Sequence, residues 1–193
     1  MFKYGMRGYS TQALIARKWS SSEVLTLHKS KFKGWCIPIT SNSEIKPLVQ
    51  QLYTLDTKLL KASHPEMLAW KTADGPNDNS TAGNSKRRVT KKKSSTLVPD
   101  PSVYTVKKLT GLNQGFNDNG EGGSGLRLLG LLDRLKLVNV LVVVTRWYGG
   151  TPLGPVRFKC ISDVAHGALK NGGYTNLKPE GNAWLDLSKL PNN

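Results

Sequence analysis

The stretch that decides the fold is VLVVVTRWYGGTPLGPVRF, Val140 to Phe158. A run of apolar, mostly β-branched residues ends on Arg146, and two aromatic residues, a glycine pair and two prolines follow it. A short run that is apolar at every position predicts a strand covered on both faces. Open sheets present their sites where strands end, so the same stretch predicts a central strand and a functional edge at Arg146.

The segments around this strand predict further elements by their hydrophobic spacing. Strands are expected at Lys29–Ile39, Met67–Thr72 and Val103–Leu109, and helices at residues 41–63, residues 125–137 and Val156–Leu169. The first strand alternates apolar and basic residues, which predicts one solvent-exposed face. The stretch from Thr110 to Gly125 is polar and glycine-rich and is interpreted as a long turn. This order predicts an α+β sandwich in which helices pack on a small mixed sheet.

The 193-residue chain carries a net charge of +15, and two stretches supply ten of these charges. One is the acid-free segment 1–22, and the other is KRRVTKKK at residues 86–93. Residues 73–102 contain few large apolar side chains, which predicts a disordered basic insertion in the domain. Its candidate contacts to a polyanion are Lys86, Arg87, Arg88, Lys91, Lys92 and Lys93. A solvated loop or a nuclear-type address is the alternative.

The first 22 residues have the composition of a mitochondrial presequence, with basic, hydroxyl and apolar residues and no acid. They predict import into the mitochondrial matrix, with cleavage near Tyr9–Ser10 or Trp19–Ser20; a cytoplasmic location is the alternative. Because Phe32 is the first expected core residue, removal at either point is expected to leave the fold unchanged. The domain is then expected at residues 23–174, and the tail 175–193 has no assigned place.

Several chemistries find little support in the residues. Cys36 and Cys160 belong to no metal-binding motif, and the three histidines have no metal spacing, so no metal and no cofactor is expected. No serine lies in a nucleophile elbow. No apolar run approaches the roughly 18 residues of a membrane span, so no membrane contact is expected.

Arg146, Trp147, Tyr148 and Arg157 are expected to lie together near the turn after the central strand. Two guanidiniums and two aromatic rings would offer a surface for stacking and phosphate contact. In the alternative, the aromatic rings fill the core and Arg146 pairs with Glu121 or Asp118.

The glycines near this turn are expected to shape the backbone. Gly149 and Gly150 allow positive φ or the close approach of another segment, and Gly154 lies between the prolines that fix the path onward. Asp118, Gly120 and Glu121 precede the second long helix, where they predict a turn and a helix cap. Their carboxylates would repel a phosphate at that helix end.

The segment from Phe116 to Leu169, with its Asp/Asn-Gly-Glu turn and its valine-rich strand running into RWYGG, resembles the N-terminal signature domain of the IMPACT family, which includes the bacterial YigZ-type proteins. The opening strand Lys29–Ile39 and the step ASHPEMLAW also look like that domain. Asn119, Gly122 and Pro152 depart from the family pattern, which expects Asp, a small residue or proline, and an apolar residue there. No counterpart of the family's RWD domain or of its bacterial C-terminal domain is found.

The resemblance implies the fold of ribosomal protein S five domain 2. It also implies a non-enzymatic binding module that contacts RNA or ribosome-associated factors. A protein-interaction regulator of stress-controlled translation initiation, with a partner from that pathway, is the alternative. A small hydrolase built on Asp118, Glu121 and Arg146 is a third hypothesis, and no nucleophile–base pair in the sequence supports it.

Overall fold

The computed structural model describes residues 17–74, 101–177, 179 and 181–190, and these form an α+β domain, as predicted. The strands are β1 Ser20–Ser21, β2 Leu25–Leu27, β3 Ser30–Pro38, β4 His64–Asp74, β5 Thr105–Val106, β6 Thr110–Asn117, β7 Leu137–Val138, β8 Val140–Trp147 and β9 Trp184–Asp186. The α-helices are α1 Ile45–Leu55, α2 Pro101–Tyr104, α3 Ser124–Arg134 and α4 Val156–Asn171. Short 3₁₀ helices span Asn42–Glu44, Thr57–Lys61 and Leu187–Lys189.

The main sheet has the order β1-β3-β8-β4-β6, with β2 also paired to β3, so β8 is central as predicted. Each of its described pairings is antiparallel, which corrects the expectation of a mixed main sheet. The crossover through α1 makes β3 and β4 parallel to each other, but β8 separates them and runs opposite to both. Mixing is confined to a second sheet, where β9 pairs parallel with β7 and antiparallel with β5.

Both faces of the main sheet are covered. Alternate residues of β8, such as Val142 and Val144, face α3 and α4, while Leu141 and Val143 face α1. Trp35 is consequently buried, although β3 was expected to have one wet face. That expectation was wrong because α1 and the 3₁₀ helix after it form a third layer over the same face.

The polar stretch expected to be a long turn contains strand β6. It lies at the edge of the sheet, paired only to β4 among the described strands, and its side chains are mostly exposed. An edge strand with little buried surface needs few apolar residues, so the composition concealed it. The strand expected at Val103–Leu109 is correspondingly reduced to β5, preceded by the short helix α2.

Two helix predictions change in detail. The single helix expected over residues 41–63 ends at Leu55, because Asp56 turns extended and its side chain accepts a hydrogen bond from Lys58 N at 3.1 Å. The helix expected over residues 125–137 ends at Arg134 in α3, where Leu128 and Leu131 are buried and Leu126 is exposed.

Part of the expected leader packs on the domain. Arg17 forms an ion pair with the buried Glu44, and Trp19 packs against the α1 side of the sheet and donates to Gln51 Oε1 at 3.2 Å. Cleavage after Trp19 would remove both contacts. The expectation that removal at the second point leaves the fold unchanged stays a prediction that must allow for this loss, while residues 1–16 lie outside the described part of the chain.

The C-terminal segment adds β9 to the second sheet. Leu185 and Leu187 are buried in the core between sheet and helices, and the buried Asp186 accepts a hydrogen bond from Asn139 Nδ2 at 2.7 Å. Among the described residues, no helix combines the length and the apolar character needed to cross a bilayer.

Gly34 controls how closely α4 approaches the sheet. It lies in β3 directly beneath the Val164 backbone, where a Cβ would collide with that carbonyl. We therefore expect Gly34→Ala to lower the free energy of unfolding by about 1–3 kcal/mol through overpacking, measured by urea denaturation. Gly122→Ala is the control, because a Cβ there meets no atom within 4 Å, and it should stay within about 0.5 kcal/mol of wild type. Equal stability of the two variants would contradict this account.

Candidate functional site

Arg146 is the last charged residue of β8 and is 5% exposed. It lies opposite Phe32 of β3, and its guanidinium is 5.4 Å from the Phe32 ring centroid and 5.4 Å from that of Tyr148. The strand's two-residue period directs it toward the α3 and α4 layer. A buried charge in this position requires a partner.

The partner is Glu121, the acid in the turn before α3. Its side chain is buried and forms ion pairs with Arg146 and with Arg157, whose Nε lies 2.6 Å from Glu121 Oε1. His64 Nε2 lies 3.4 Å from the other carboxylate oxygen. Three segments far apart in the chain therefore meet on one carboxylate.

Asp118 has a separate task. Its two carboxylate oxygens accept hydrogen bonds from Gly123 N at 2.9 Å and Gly125 N at 2.7 Å, which holds the start of α3. Asn119 and Gly120 both have positive φ, and the Asn119 carbonyl lies 2.9 Å from His64 Nδ1. This turn fixes Glu121 and His64 against each other. The turn and the helix cap that were expected here are both present.

The loop after β8 is shaped by its glycines. Gly149 lies against the backbone of Lys29, where a Cβ would collide, and its N–H donates to Ser30 Oγ at 3.0 Å. Gly150 and Gly154 have φ of 86° and 54°, a conformation that favours glycine. The Gly154 carbonyl accepts a hydrogen bond from Arg157 Nη1 at 2.8 Å, so the loop positions that guanidinium.

A cavity of about 180 Å³ opens above the two arginines. Its lining is formed by Glu121, Arg146, Tyr148, Pro152, Leu153, Gly154 and Arg157. The Nε atom of Arg146 is buried and makes no hydrogen bond to the described residues. Arg157 Nε is also buried and lies within ion-pair distance of Glu121.

The structure brings together three of the four residues predicted to cluster. Arg146, Tyr148 and Arg157 line the cavity, but Trp147 points to the other face, where its Nε1 donates to the Lys58 carbonyl at 3.0 Å. The six basic residues of the insertion, Lys86 to Lys93, lie outside the described residues. The sequence offered no signal for His64 as a neighbour of Glu121.

Cys36 and Cys160 are buried thiols outside the cavity lining. Burial raises the pKa of the Cys36 thiol, and burial followed by the charge of Asp163 raises the pKa of Cys160, so neither is an activated nucleophile. Among the described residues, no group of three His, Cys, Asp or Glu side chains could hold a metal ion. Asp118 is occupied by the helix cap and Glu121 by the guanidiniums.

Fold and site together define a small α+β domain with a charged pocket that a buried carboxylate holds in place. The Impact N-terminal domain family matches residues 28–169. IMPACT family member YDL177C of Saccharomyces cerevisiae (strain ATCC 204508 / S288c) is 41% identical over 161 residues, which are 83% of this chain and 95% of that protein. The chain belongs to the IMPACT family.

Other relatives match in part. Protein IMPACT of Homo sapiens is 45% identical over 87 residues, 45% of this chain but only 27% of the human protein. A solved structure titled "Crystal structure of an hypothetical protein" shares the fold, with a TM-score of 0.50 and 20% identity over 79% of this chain and 60% of that one.

Removing the Glu121 charge leaves two guanidiniums, one of them nearly fully buried, without their carboxylate. We expect Glu121→Gln to lower the free energy of unfolding by about 3 kcal/mol, measured by urea denaturation. Asp163→Asn is the control: this acid lies on α4 and pairs with the exposed Lys159, and its loss should cost less than about 1 kcal/mol. If the Glu121→Gln variant were as stable as the Asp163→Asn variant, the Glu121 carboxylate would not hold the site together.

Proposed function

We propose that this protein is a non-enzymatic IMPACT-family module of translation control that contacts RNA. The observation that carries the proposal is a set of exposed lysines around the end of β8. We call this set the basic rim; its members are Lys29, Lys31, Lys58 and Lys61.

The contacts of β8 hold the basic rim together. Lys31 lies opposite Trp147 in the sheet, and the carbonyl of Lys58 accepts the hydrogen bond from the Trp147 ring. Ser63, two residues after Lys61, donates its backbone N–H to the Arg146 carbonyl at 3.0 Å. Two basic segments, residues 29–31 and 58–61, therefore meet at the end of β8.

Two acids near the basic rim have cationic partners. Glu121 is shared by two guanidiniums, and Asp56 lies 3.5 Å from Lys33 Nζ. The remaining field is positive and suits a phosphate backbone, which binds lysines by releasing counterions. Tyr148 is 47% exposed between this surface and the cavity, where a nucleic acid base can stack on its ring.

The hairpin turn at the basic rim supports the proposal independently. His28 and Lys29 have φ of 44° and 64°, and two-residue hairpins of this kind favour Asn-Gly instead. Non-glycine residues with positive φ cost about 1–2 kcal/mol each. A basic pair kept in a strained turn is consistent with a role in contact rather than stability.

The assignment to translation control rests on family membership. The assignment as a binding module rests on the acids of the site, which are already paired. A protein partner from the same pathway would use the surface differently. Aromatic and apolar contacts would then dominate, and affinity would depend weakly on salt.

The test measures binding of single-stranded RNA to the full chain by fluorescence anisotropy across salt concentrations. We expect the logarithm of affinity to fall linearly with the logarithm of salt. The double variant Lys58→Gln with Lys61→Gln should make this slope less steep by about 1.4, at roughly 0.7 per lost phosphate contact. Lys46→Gln with Lys170→Gln removes the same charge from exposed positions away from the basic rim and should change the slope little.

Replacing residues 75–100 by a short Gly-Ser linker separates the insertion from the domain. A slope flattened only by this replacement would move the contact to the insertion. No RNA binding by the full chain at low salt would reject the RNA proposal and favour the protein partner.

We also propose that the protein is imported into the mitochondrial matrix, with cleavage near Tyr9–Ser10. A cut there preserves the ion pair of Arg17 with Glu44 and the packing of Trp19, whereas a cut before Ser20 removes both. A chain that starts at Ser20 should be about 3 kcal/mol less stable in urea than one that starts at Ser10, because Glu44 is left buried without Arg17.

N-terminal sequencing of the endogenous protein tests the location. Ser10 at the N-terminus of a matrix fraction is the expected result. An intact Met1 in a cytosolic fraction would reject import.

A further inference from the structure

We propose that the cavity above Arg146 and Arg157 is a binding site for a phosphate group, carried either by a free mononucleotide or by an RNA strand. The inference deepens the proposed function, and its RNA arm rests on it. Neither the charge of the basic rim nor that of the insertion is needed for it.

The charges of the cavity favour an anion. Two guanidiniums share the single carboxylate of Glu121, so the lining retains one positive charge. Glu121 is the one acid in that lining, and it is already engaged by both arginines. A second cation would meet two positive groups before it met the carboxylate.

An unused hydrogen-bond donor points to the same conclusion. The side chain of Arg146 is 6% exposed, and its Nε is buried without an acceptor among the described residues. Buried donors are nearly always satisfied in native proteins, so this donor calls for an acceptor. An anion in the cavity would supply it.

Size and geometry favour phosphate. Each water takes about 30 Å³ of liquid volume, so the cavity of about 180 Å³ has room for a group several times that size. Guanidiniums recognise phosphate by paired N–H donors, and a tetrahedral group presents oxygens to two such forks at once. The exposed Tyr148 ring at the mouth gives a nucleotide base a surface on which to stack.

The loop leaves this space open. Gly154 lines the cavity with positive φ, and a Cβ built on it would meet no atom within 4 Å. Pro152 and Leu153 contribute apolar lining to the cavity. A charge pair that served stability alone would need neither the opening nor the loop.

The direct readout is the Nε–H resonances of Arg146 and Arg157 in nuclear magnetic resonance spectra of the full chain. Inorganic phosphate and adenosine monophosphate should shift both resonances in a saturable way, with a Kd of about 1 mM or tighter. Adenosine, which lacks the phosphate, should leave them unchanged. Unshifted resonances under phosphate, or equal shifts under acetate, would overturn the proposal.

Arg157→Gln should weaken adenosine monophosphate binding by about tenfold or more. Arg127→Gln is the matched control, because Arg127 also stacks on Phe158 but does not line the cavity. Should Arg157→Gln fail to fold, Leu153→Trp fills the cavity and keeps every charge in place. Full phosphate binding by Leu153→Trp would overturn the proposal.

Two RNA strands distinguish the source of the phosphate. If a strand with a 5′-phosphate shifts the Nε–H resonances more than its 5′-hydroxyl counterpart does, the site binds a strand end. Equal shifts by the two strands assign the site to the backbone. If the protein binds RNA but neither RNA nor phosphate shifts the resonances, this inference is overturned and the proposed function stands. If phosphate shifts the resonances but the protein binds no RNA, the phosphate site stands and the proposed RNA contact is overturned.

Discussion

The carboxylate of Glu121 is the interaction on which the site depends. It lies between the end of β8, the first turn of α4 and the start of β4, and each of these sends one basic side chain to it. A buried carboxylate paired with a single cation would leave the site without net charge. With two guanidiniums it is fixed in place and the pocket stays positive, so one constraint supplies both rigidity and charge.

The central strand and the pairing of Arg146 were within reach of the sequence, because a run of β-branched residues and a buried arginine each permit few arrangements. The two-residue period of a strand could also have separated Trp147 from Arg146, since successive side chains point to opposite faces. The edge strand β6 was missed because exposed residues carry no apolar pattern. His64 was missed because only the folded turn at Asn119 brings it to Glu121.

The basic character of the protein has two sources that differ in kind. The backbone that carries the lysines around the end of β8 is tied to that strand by hydrogen bonds. The KRRVTKKK run contributes six further charges and lies outside the described residues.

The central place of β8 also governs when the domain can form during synthesis. β3 and β4 do not pair with each other, and β8, which ends at Trp147, is the strand that joins them. At about 5–20 residues per second, the ribosome needs on the order of several seconds to pass from β4 to the end of β8. During that interval the apolar residues of β3 have no central partner, so the nascent chain stays open to chaperones until the middle strand has emerged.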